Sequence, residues 1–146
     1  GSALMEKIFS SDRSKRDPAT IRESFNYFRE LVTQFPDSGY TPDALQRMQV
    51  LRNYLAKHEL HAADYYMRRG NHLAAANRAK YVLENYQRST AIPDALVIMV
   101  KAYRQMEMTD LANDALRVLE QNHPDHPGLA ELREEQNGDA EATEAE

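Results

Sequence analysis

The residues with the clearest potential for chemistry lie together in the stretch KHELHAADYY. His58 and His61 are three positions apart and Asp64 follows three later, so a helix would place all three on one face. Imidazole and carboxylate groups are ligands that zinc accepts, which makes a metal-dependent enzyme one hypothesis. Zinc-protease helices, however, space their histidines four apart with a glutamate beside the first, and Glu59 does not restore that spacing. A polar, solvated helix face is the favoured interpretation, and no metal site is predicted.

Other catalytic arrangements are missing from the sequence. It contains no GxSxG elbow, no glycine-rich phosphate loop and no Ser/His/Asp grouping. It has no cysteine, which excludes disulfides and thiolate metal sites. The carboxylates are spread over helix positions expected to face solvent, where a general acid would not be desolvated. His123 and His126 flank Pro124 in a predicted turn and are expected to cap it. The sequence therefore predicts a protein that is not an enzyme and needs no cofactor.

The charge distribution argues against nucleic acid as a partner. The net charge is −5, and the tail NGDAEATEAE (137–146) holds four of the carboxylates without a base, so the body is nearly neutral. This tail is too polar to fold alone and is predicted to be disordered. No apolar run approaches the roughly 18 residues that would span a bilayer. The start lacks a signal-peptide pattern, and residues 1–4 are interpreted as a tag or linker remnant.

The elements that must position these side chains are helices. In residues 18–35 the apolar side chains form one stripe, and no segment alternates with the period of a β-strand. Asp17 and Thr41 each stand directly before a proline, which predicts N-terminal caps at those points. Residues 42–69 contain neither proline nor glycine, so one long helix and two shorter ones both fit that stretch. The predicted fold class is all-α, with helices at 18–35, 42–57, 58–69, 71–86, 92–106, 109–122 and 127–136.

A large and a small residue recur at a fixed distance along the chain. Tyr66 and Ala75 are followed 37 positions later by Tyr103 and Ala112, with the same gap inside each pair. A large side chain on one helix that meets a small one on the next lets two antiparallel helices approach closely. This pattern is typical of tetratricopeptide repeats. Gly70 would supply the left-handed turn between the two helices.

The repeat pattern extends beyond these two helix pairs. The segment TPDALQRM (41–48) matches IPDALVIM (92–99) at a distance of 51 positions, about one helix more than a 34-residue repeat. The joint at 106–110 lacks glycine and is a weaker match. Such pairs bury their apolar faces by stacking, so the prediction is a tetratricopeptide-repeat α-solenoid of antiparallel helix pairs. Its predicted parts are a partial repeat (5–36), an extra helix (42–57), two repeats (58–87 and 92–124), a capping helix (127–136) and the acidic tail (137–146).

One helix of the predicted array carries a candidate binding surface. On the helix at 71–86, the residues predicted to face inward are Leu73, Ala76, Ala79, Val82 and Leu83. The residues predicted to face outward and bind protein, a set that we name the outer ridge, are Asn77, Arg78, Tyr81 and Asn85. Arginine and tyrosine are frequent anchors of protein interfaces. An ordinary solvated surface is the alternative interpretation.

A generic peptide-binding adaptor that uses the groove of the array is the alternative function. Repeat domains that hold a peptide's C-terminal carboxylate use Lys and Asn on the groove side of the first helix. The equivalent positions here are Leu60 and Asp64 in one repeat, and Val97 and Lys101 in the next. The clamp is absent, which disfavours an adaptor for chaperone tails.

Long stretches of the chain resemble a known family. The stretches are SSDRSKRDPATIRESFNYFRELVTQFPDSGYTPDALQRM, LAKHELHAADYYMRRGNHLAAANRAKYVLENY and DALVIMVKAYRQMEM. They are similar to the C-terminal part of the BamD family, the outer-membrane assembly lipoproteins of Gram-negative bacteria, over about residues 4–122. The run DRSKRDP and the pattern A-x-YY-x-x-RG are specific to that family rather than to helical repeats in general.

The resemblance implies a non-enzymatic scaffold at the periplasmic face of the outer membrane. In the family, the C-terminal repeats dock on the periplasmic POTRA domains of BamA, the barrel subunit, and touch BamE and other BAM lipoproteins. The arginine of the family's VNRV segment, part of the BamA contact, matches Arg78 in AANRA. Unfolded outer membrane proteins are a further candidate partner. The family's lipid-modified cysteine and N-terminal repeats are expected to lie outside this sequence, so membrane attachment would come only through that anchor.

Overall fold

The structure of the chain is a computed structural model that describes the backbone of residues 17–145 and the side chains of residues 17–138. Within residues 17–145 the helices are joined by short turns and there is no β-strand, so the predicted all-α fold is confirmed. The helices are α1 (Pro18–Gln34), α2 (Thr41–Arg68), α3 (His72–Asn85), α4 (Ile92–Gln105), α5 (Thr109–Asn122) and α6 (Leu129–Ala145). The predicted tag remnant at 1–4 and the predicted start of the partial repeat at 5–16 lie outside the described residues.

The predicted helix start at Pro18 is confirmed, whereas the one at Thr41 differs. Asp17 accepts a hydrogen bond from the N–H of Ala19 at 3.0 Å, and Pro18 occupies the first turn, where its missing N–H is not needed. Thr41 is the first residue of α2, and its hydroxyl donates to the carbonyl of Phe35 at 3.0 Å. The predicted cap at Thr41 is therefore wrong, because Thr41 is itself the first helical residue and the cap position precedes it.

Helix α2 is continuous, so the predicted segments 42–57 and 58–69 form one helix of 28 residues. The chain divides into two compact units, and the division falls inside this helix. Among the described residues, the first unit takes in 17–58 together with Arg88–Thr90, and the second takes in Glu59–Gln87 and 91–145. The repeat boundaries proposed from the sequence stay a prediction.

In the first unit, α1 and the first half of α2 bury their apolar faces. The buried side chains are Ile21, Phe25, Phe28, Ala44, Met48, Leu51 and Leu55. The guanidinium of Arg52 on α2 lies 5.5 Å from the ring centre of Phe25 on α1, so the two helices meet at this point. This cation–π contact covers an aromatic ring of the core with the arginine.

The segment Arg88–Thr90 belongs to the first unit because α2 holds its backbone. The side-chain amide of Gln49 donates to the carbonyl of Arg88 at 2.9 Å. Asn53 accepts a hydrogen bond from the N–H of Thr90 at 3.1 Å, and the same oxygen accepts from Gln49 at 2.9 Å. Two polar side chains of α2 therefore satisfy backbone groups that no helix or sheet ladder would satisfy.

In the second unit, α4 packs against α3, α5 and α6. Helix α3 contributes small residues, and Ala75, Ala76 and Ala79 are each 0% exposed. Small side chains let a neighbouring helix approach closely, and the larger apolar residues fill the space between helices. The larger buried residues of this unit include Val82, Leu96, Val100, Tyr103, Leu116, Leu119, Leu129 and Leu132.

A left-handed turn joins α2 to α3, as the sequence predicts. The N–H of Asn71 donates to the carbonyl of Tyr66 at 2.9 Å, and the N–H of Gly70 donates to the carbonyl of Met67 at 3.1 Å. Gly70 has a φ of 78°, a conformation that glycine adopts without the usual steric cost. These two bonds form a Schellman motif, which ends one helix and lets the next begin at once.

The same turn recurs 37 positions later, between α4 and α5. The N–H of Met108 donates to the carbonyl of Tyr103 at 2.9 Å, and the N–H of Glu107 donates to the carbonyl of Arg104 at 3.0 Å. Glu107 occupies the position of the glycine and has a φ of 59°. The joint at 106–110, a weaker match in sequence because it lacks glycine, therefore has the same backbone geometry.

Three helix ends also share one conformation, at the distances that the sequence pattern predicts. The residues directly after the three helices, their C-caps, have similar backbone angles. Their φ and ψ are −130° and 61° at Phe35, −127° and 50° at Tyr86, and −138° and 58° at His123. The N–H of each donates to the carbonyl four positions earlier, at 2.8 to 2.9 Å. These ends are 51 and 37 positions apart, so the backbone repeats with the period of the sequence.

The final helix is longer than the sequence suggests. Helix α6 runs through Ala145, past the end of the capping helix predicted at 127–136. Helical backbone therefore covers most of the segment 137–146, whose composition predicts disorder. The function of that segment as a separate acidic tail stays a prediction.

Candidate protein-binding surface on helix α3

The outer ridge is exposed on α3 as the periodicity predicts. All four of its members are exposed: Asn77, Arg78, Tyr81 and Asn85. The opposite face of the helix is buried through Ala75, Ala76, Ala79 and Val82. The binding role of the ridge is a proposal.

Leu73 was predicted to face inward, and that prediction is wrong. It is 57% exposed and shares a face of α3 with Asn77 and Tyr81, at intervals of four residues. The buried face is centred instead on Ala76 and Ala79. Leu73 thus adds an exposed apolar side chain beside the outer ridge, where the ridge would otherwise be polar and aromatic.

Arg78 is tied to a buried carboxylate. Its Nη1 lies 2.9 Å from Oε2 of Glu59 on α2, and the side chains of Arg78 and Glu59 are 48% and 7% exposed. The hydrogen bond and the charge of Glu59 raise the pKa of Arg78, burial offsets part of the rise, and a hydrogen bond with the Tyr66 side chain adds to it. The guanidinium is therefore held on its inner side while its outer side remains accessible.

Glu59 is a functional candidate that the sequence did not reveal, because its carboxylate was expected to face solvent. The residue is buried. It lies three positions after Ala56 and four before Ala63, and both alanines are 0% exposed. This helical spacing is the signal that could have placed Glu59 on the inner face of α2. A buried carboxylate requires a partner, and Arg78 provides it.

The other members of the ridge are also held in place. The ring of Tyr81 meets the ring of Tyr86 edge to face, with centroids 5.8 Å apart, and Tyr86 is buried. The side-chain amide of Asn85 donates to the carbonyl of Tyr81 at 3.1 Å. A surface whose side chains are already ordered loses less conformational entropy when a partner binds. The side chains of Tyr81 and Asn85 are therefore held by contacts within the second unit.

The remaining sequence candidates have structural explanations or no shared site. In the described part of the chain, no three His, Asp or Glu side chains are grouped to hold a metal ion, and this includes His58, His61 and Asp64. His126 caps the turn before α6, as predicted. Its Nδ1 accepts from the N–H of Gly128 at 2.9 Å, and its Nε2 lies 2.8 Å from Oδ1 of Asp94.

Helix pairs joined by repeated turns define a protein of the helical-repeat class. The chain belongs to the YfiO family of outer membrane lipoproteins, whose model matches residues 1–119. Membership of this family indicates association with the outer membrane on its periplasmic side. None of the helices in residues 17–145 combines the length and apolar character that crossing a bilayer requires.

The chain is similar to proteins named outer membrane protein assembly factor BamD from several bacteria. The chain is 42% identical over 127 residues to the outer membrane protein assembly factor BamD of Neisseria gonorrhoeae, a match that covers 87% of this chain and 48% of the relative. It is 38% identical over 126 residues to BamD of Xylella fastidiosa, covering 86% and 43%. It is 37% identical over 122 residues to BamD of Haemophilus influenzae, covering 84% and 47%. The chain spans about half the length of these relatives.

Proposed function

We propose that this chain is a non-enzymatic scaffold in the assembly of outer membrane proteins. It docks through its outer ridge onto the periplasmic POTRA domains of BamA and supports the folding and insertion of β-barrels. The family match and the name of the relatives, outer membrane protein assembly factors, support the general role. BamE and other lipoproteins of the complex are further proposed partners.

The observation that carries the docking role is the order of the outer ridge. Arg78 is bonded to Glu59 at 2.9 Å and Tyr81 packs against Tyr86, so both side chains are positioned before a partner arrives. Arginine and tyrosine dominate the binding energy of many protein interfaces when they are buried there. An exposed arginine without such contacts would contribute less binding free energy, because the entropy lost in ordering its side chain opposes association.

A Tyr81→Ala variant tests the proposal, with Tyr27→Ala as its matched control. Tyr81 is 40% exposed and meets Tyr86 edge to face, and Tyr27 on α1 is 42% exposed and meets Phe28 edge to face at 5.7 Å. Binding to purified BamA periplasmic domains from the same bacterium is measured by calorimetry. We expect Tyr81→Ala to weaken binding at least tenfold, the range of an interface hot spot. Equal affinities of the two variants would reject the ridge as the docking surface.

An adaptor that binds unfolded outer membrane protein segments is the second candidate, and an open cleft favours it. The cleft has a volume of about 530 Å³ and is lined by Met67, Lys101, Arg104, Gln105, Glu135 and Gly138. Lys101 also occupies a groove position of the repeat pattern. Peptide binding that is lost in Lys101→Glu and retained in Tyr81→Ala would support this function. Peptide binding that is unchanged in Lys101→Glu would count against it.

A further inference from the structure

We propose that Glu59 is a positioning residue that fixes the guanidinium of Arg78 for the partner. The inference rests on the proposed docking role of the outer ridge. Glu59 itself contacts no partner, because its side chain is 7% exposed. It acts by holding Arg78 in one orientation, so that the N–H groups on the outer side of the guanidinium face the partner before binding.

The difference in burial between the two side chains is the first argument. Exposed ion pairs exchange partners readily and contribute little to stability, because both charges are well solvated. Here the carboxylate is buried and the guanidinium is about half exposed, so Glu59 has little access to water as a competing partner. The pair therefore constrains Arg78 far more than an ordinary surface pair would.

Other arginines of the second unit show the contrast. Arg117 pairs with Asp114 at 3.3 Å, and Arg133 pairs with Glu120 at 3.4 Å. The carboxylates of these pairs are 64% and 38% exposed. Water competes with both arginines for those carboxylates, so neither arginine is held as Arg78 is.

The bond geometry is the second argument. A guanidinium carries five N–H donors in a rigid, planar fork. Oε2 of Glu59 accepts from Nη1 of Arg78 at 2.9 Å. This bond holds the fork from α2 through one of its nitrogens, and further donors remain for a partner. Because the long arginine side chain is already ordered, binding does not have to immobilise it.

Removal of the Glu59 carboxylate is therefore expected to weaken binding without touching the interface. Glu59→Gln keeps the shape of the side chain and removes its charge, so a weaker hydrogen bond from Arg78 to a neutral amide oxygen replaces the ion pair. Re-ordering one flexible side chain on binding corresponds to a loss of roughly three- to tenfold in affinity. If Glu59 acted on binding only through its charge, its removal would instead strengthen binding. An anionic group of the partner would then no longer compete with Glu59 for Arg78.

A double-mutant cycle on affinity tests the inference. The 146-residue chain, its Glu59→Gln and Arg78→Gln variants and the double variant are titrated with the BamA periplasmic domains, well below their melting temperatures. We expect Glu59→Gln to weaken binding roughly three- to tenfold in the wild-type background and to have no effect in the Arg78→Gln background. Glu120→Gln, the same change in an exposed pair, is the control and should bind as the wild type does.

The outcomes separate this inference from the proposed function. If Arg78→Gln binds normally while Tyr81→Ala is weak, the ridge docks without Arg78 and only this inference is rejected; if both bind normally, the proposed function is rejected with it. If Arg78→Gln is weak while Glu59→Gln binds normally or more tightly, only the positioning role is rejected. A loss from Glu59→Gln that persists in the Arg78→Gln background shows a merely structural effect and also rejects it. If Arg78→Gln does not fold, Arg78→Lys replaces it, because Lys keeps a charge beside Glu59 and lacks the planar fork.

Discussion

One of the two left-handed turns contains a glycine and the other a glutamate. Substitutions at these two positions are therefore predicted to change the stability of the protein in opposite directions. Gly70 and Glu107 occupy the same position of the same Schellman motif, with φ values of 78° and 59°. An L-residue in this conformation is strained by contact between its Cβ and the backbone. Glu107→Gly should therefore stabilise the protein, and Gly70→Ala should destabilise it.

The magnitude follows from two opposing backbone effects. The left-handed conformation costs a residue with a side chain roughly 1–2 kcal/mol. Glycine loses more conformational entropy on folding, which costs about 0.5–1 kcal/mol. The difference is about 0.5–1 kcal/mol in favour of glycine at either site. A Cβ added at Gly70 meets no atom within 4 Å, and Glu107 is exposed, so neither change alters packing.

Thermal denaturation followed by circular dichroism at the helix band measures both changes. The expected shifts in melting temperature are about 2–4 °C, upward for Glu107→Gly and downward for Gly70→Ala. Gly39→Ala is the control, because a Cβ there also meets no atom within 4 Å and its φ is not positive. A destabilised Glu107→Gly variant, or a Gly70→Ala variant that matches the wild type, would show that the turn is not built as described.

Two further stability predictions follow from single hydrogen bonds. Arg78→Ala leaves the carboxylate of Glu59 buried without its ion partner and should lower the free energy of unfolding by about 1–3 kcal/mol. Adding Glu59→Gln should restore much of this stability in thermal denaturation, and no restoration would refute the pairing. Asn53→Ala removes the acceptor of the Thr90 N–H and should cost about 1 kcal/mol in urea denaturation; an unchanged midpoint would show that α2 does not hold this turn.

Much of the fold could be predicted from periodicity and from the pairing of large and small residues. The matching of Tyr66 with Tyr103 placed two joints 37 positions apart, and both joints have the same backbone hydrogen bonds. Local rules suffice here, because a turn that ends one helix is built from a few neighbouring residues. The same rules missed Thr41, whose hydroxyl bonds back to Phe35 across the turn.

The candidate site was predicted in part. The exposed side of α3 follows from helix geometry, so Arg78 and Tyr81 were placed correctly on the surface. The pairing of Arg78 with Glu59 joins residues 19 positions apart on different helices, and no local pattern specifies it. The exposure of Leu73 does not follow from its apolar character, because its position on the helix places it on the same face as Asn77 and Tyr81.

The most direct test of the docking claim is photo-crosslinking from single positions of the chain to the BamA periplasmic domains. A photoreactive residue at position 77 or 85 replaces Asn77 or Asn85 of the outer ridge, and one at position 26 replaces Asn26, an exposed asparagine of α1. Docking through the outer ridge predicts crosslinks from positions 77 and 85 and none from position 26. Crosslinks from position 26 with none from the ridge would contradict it.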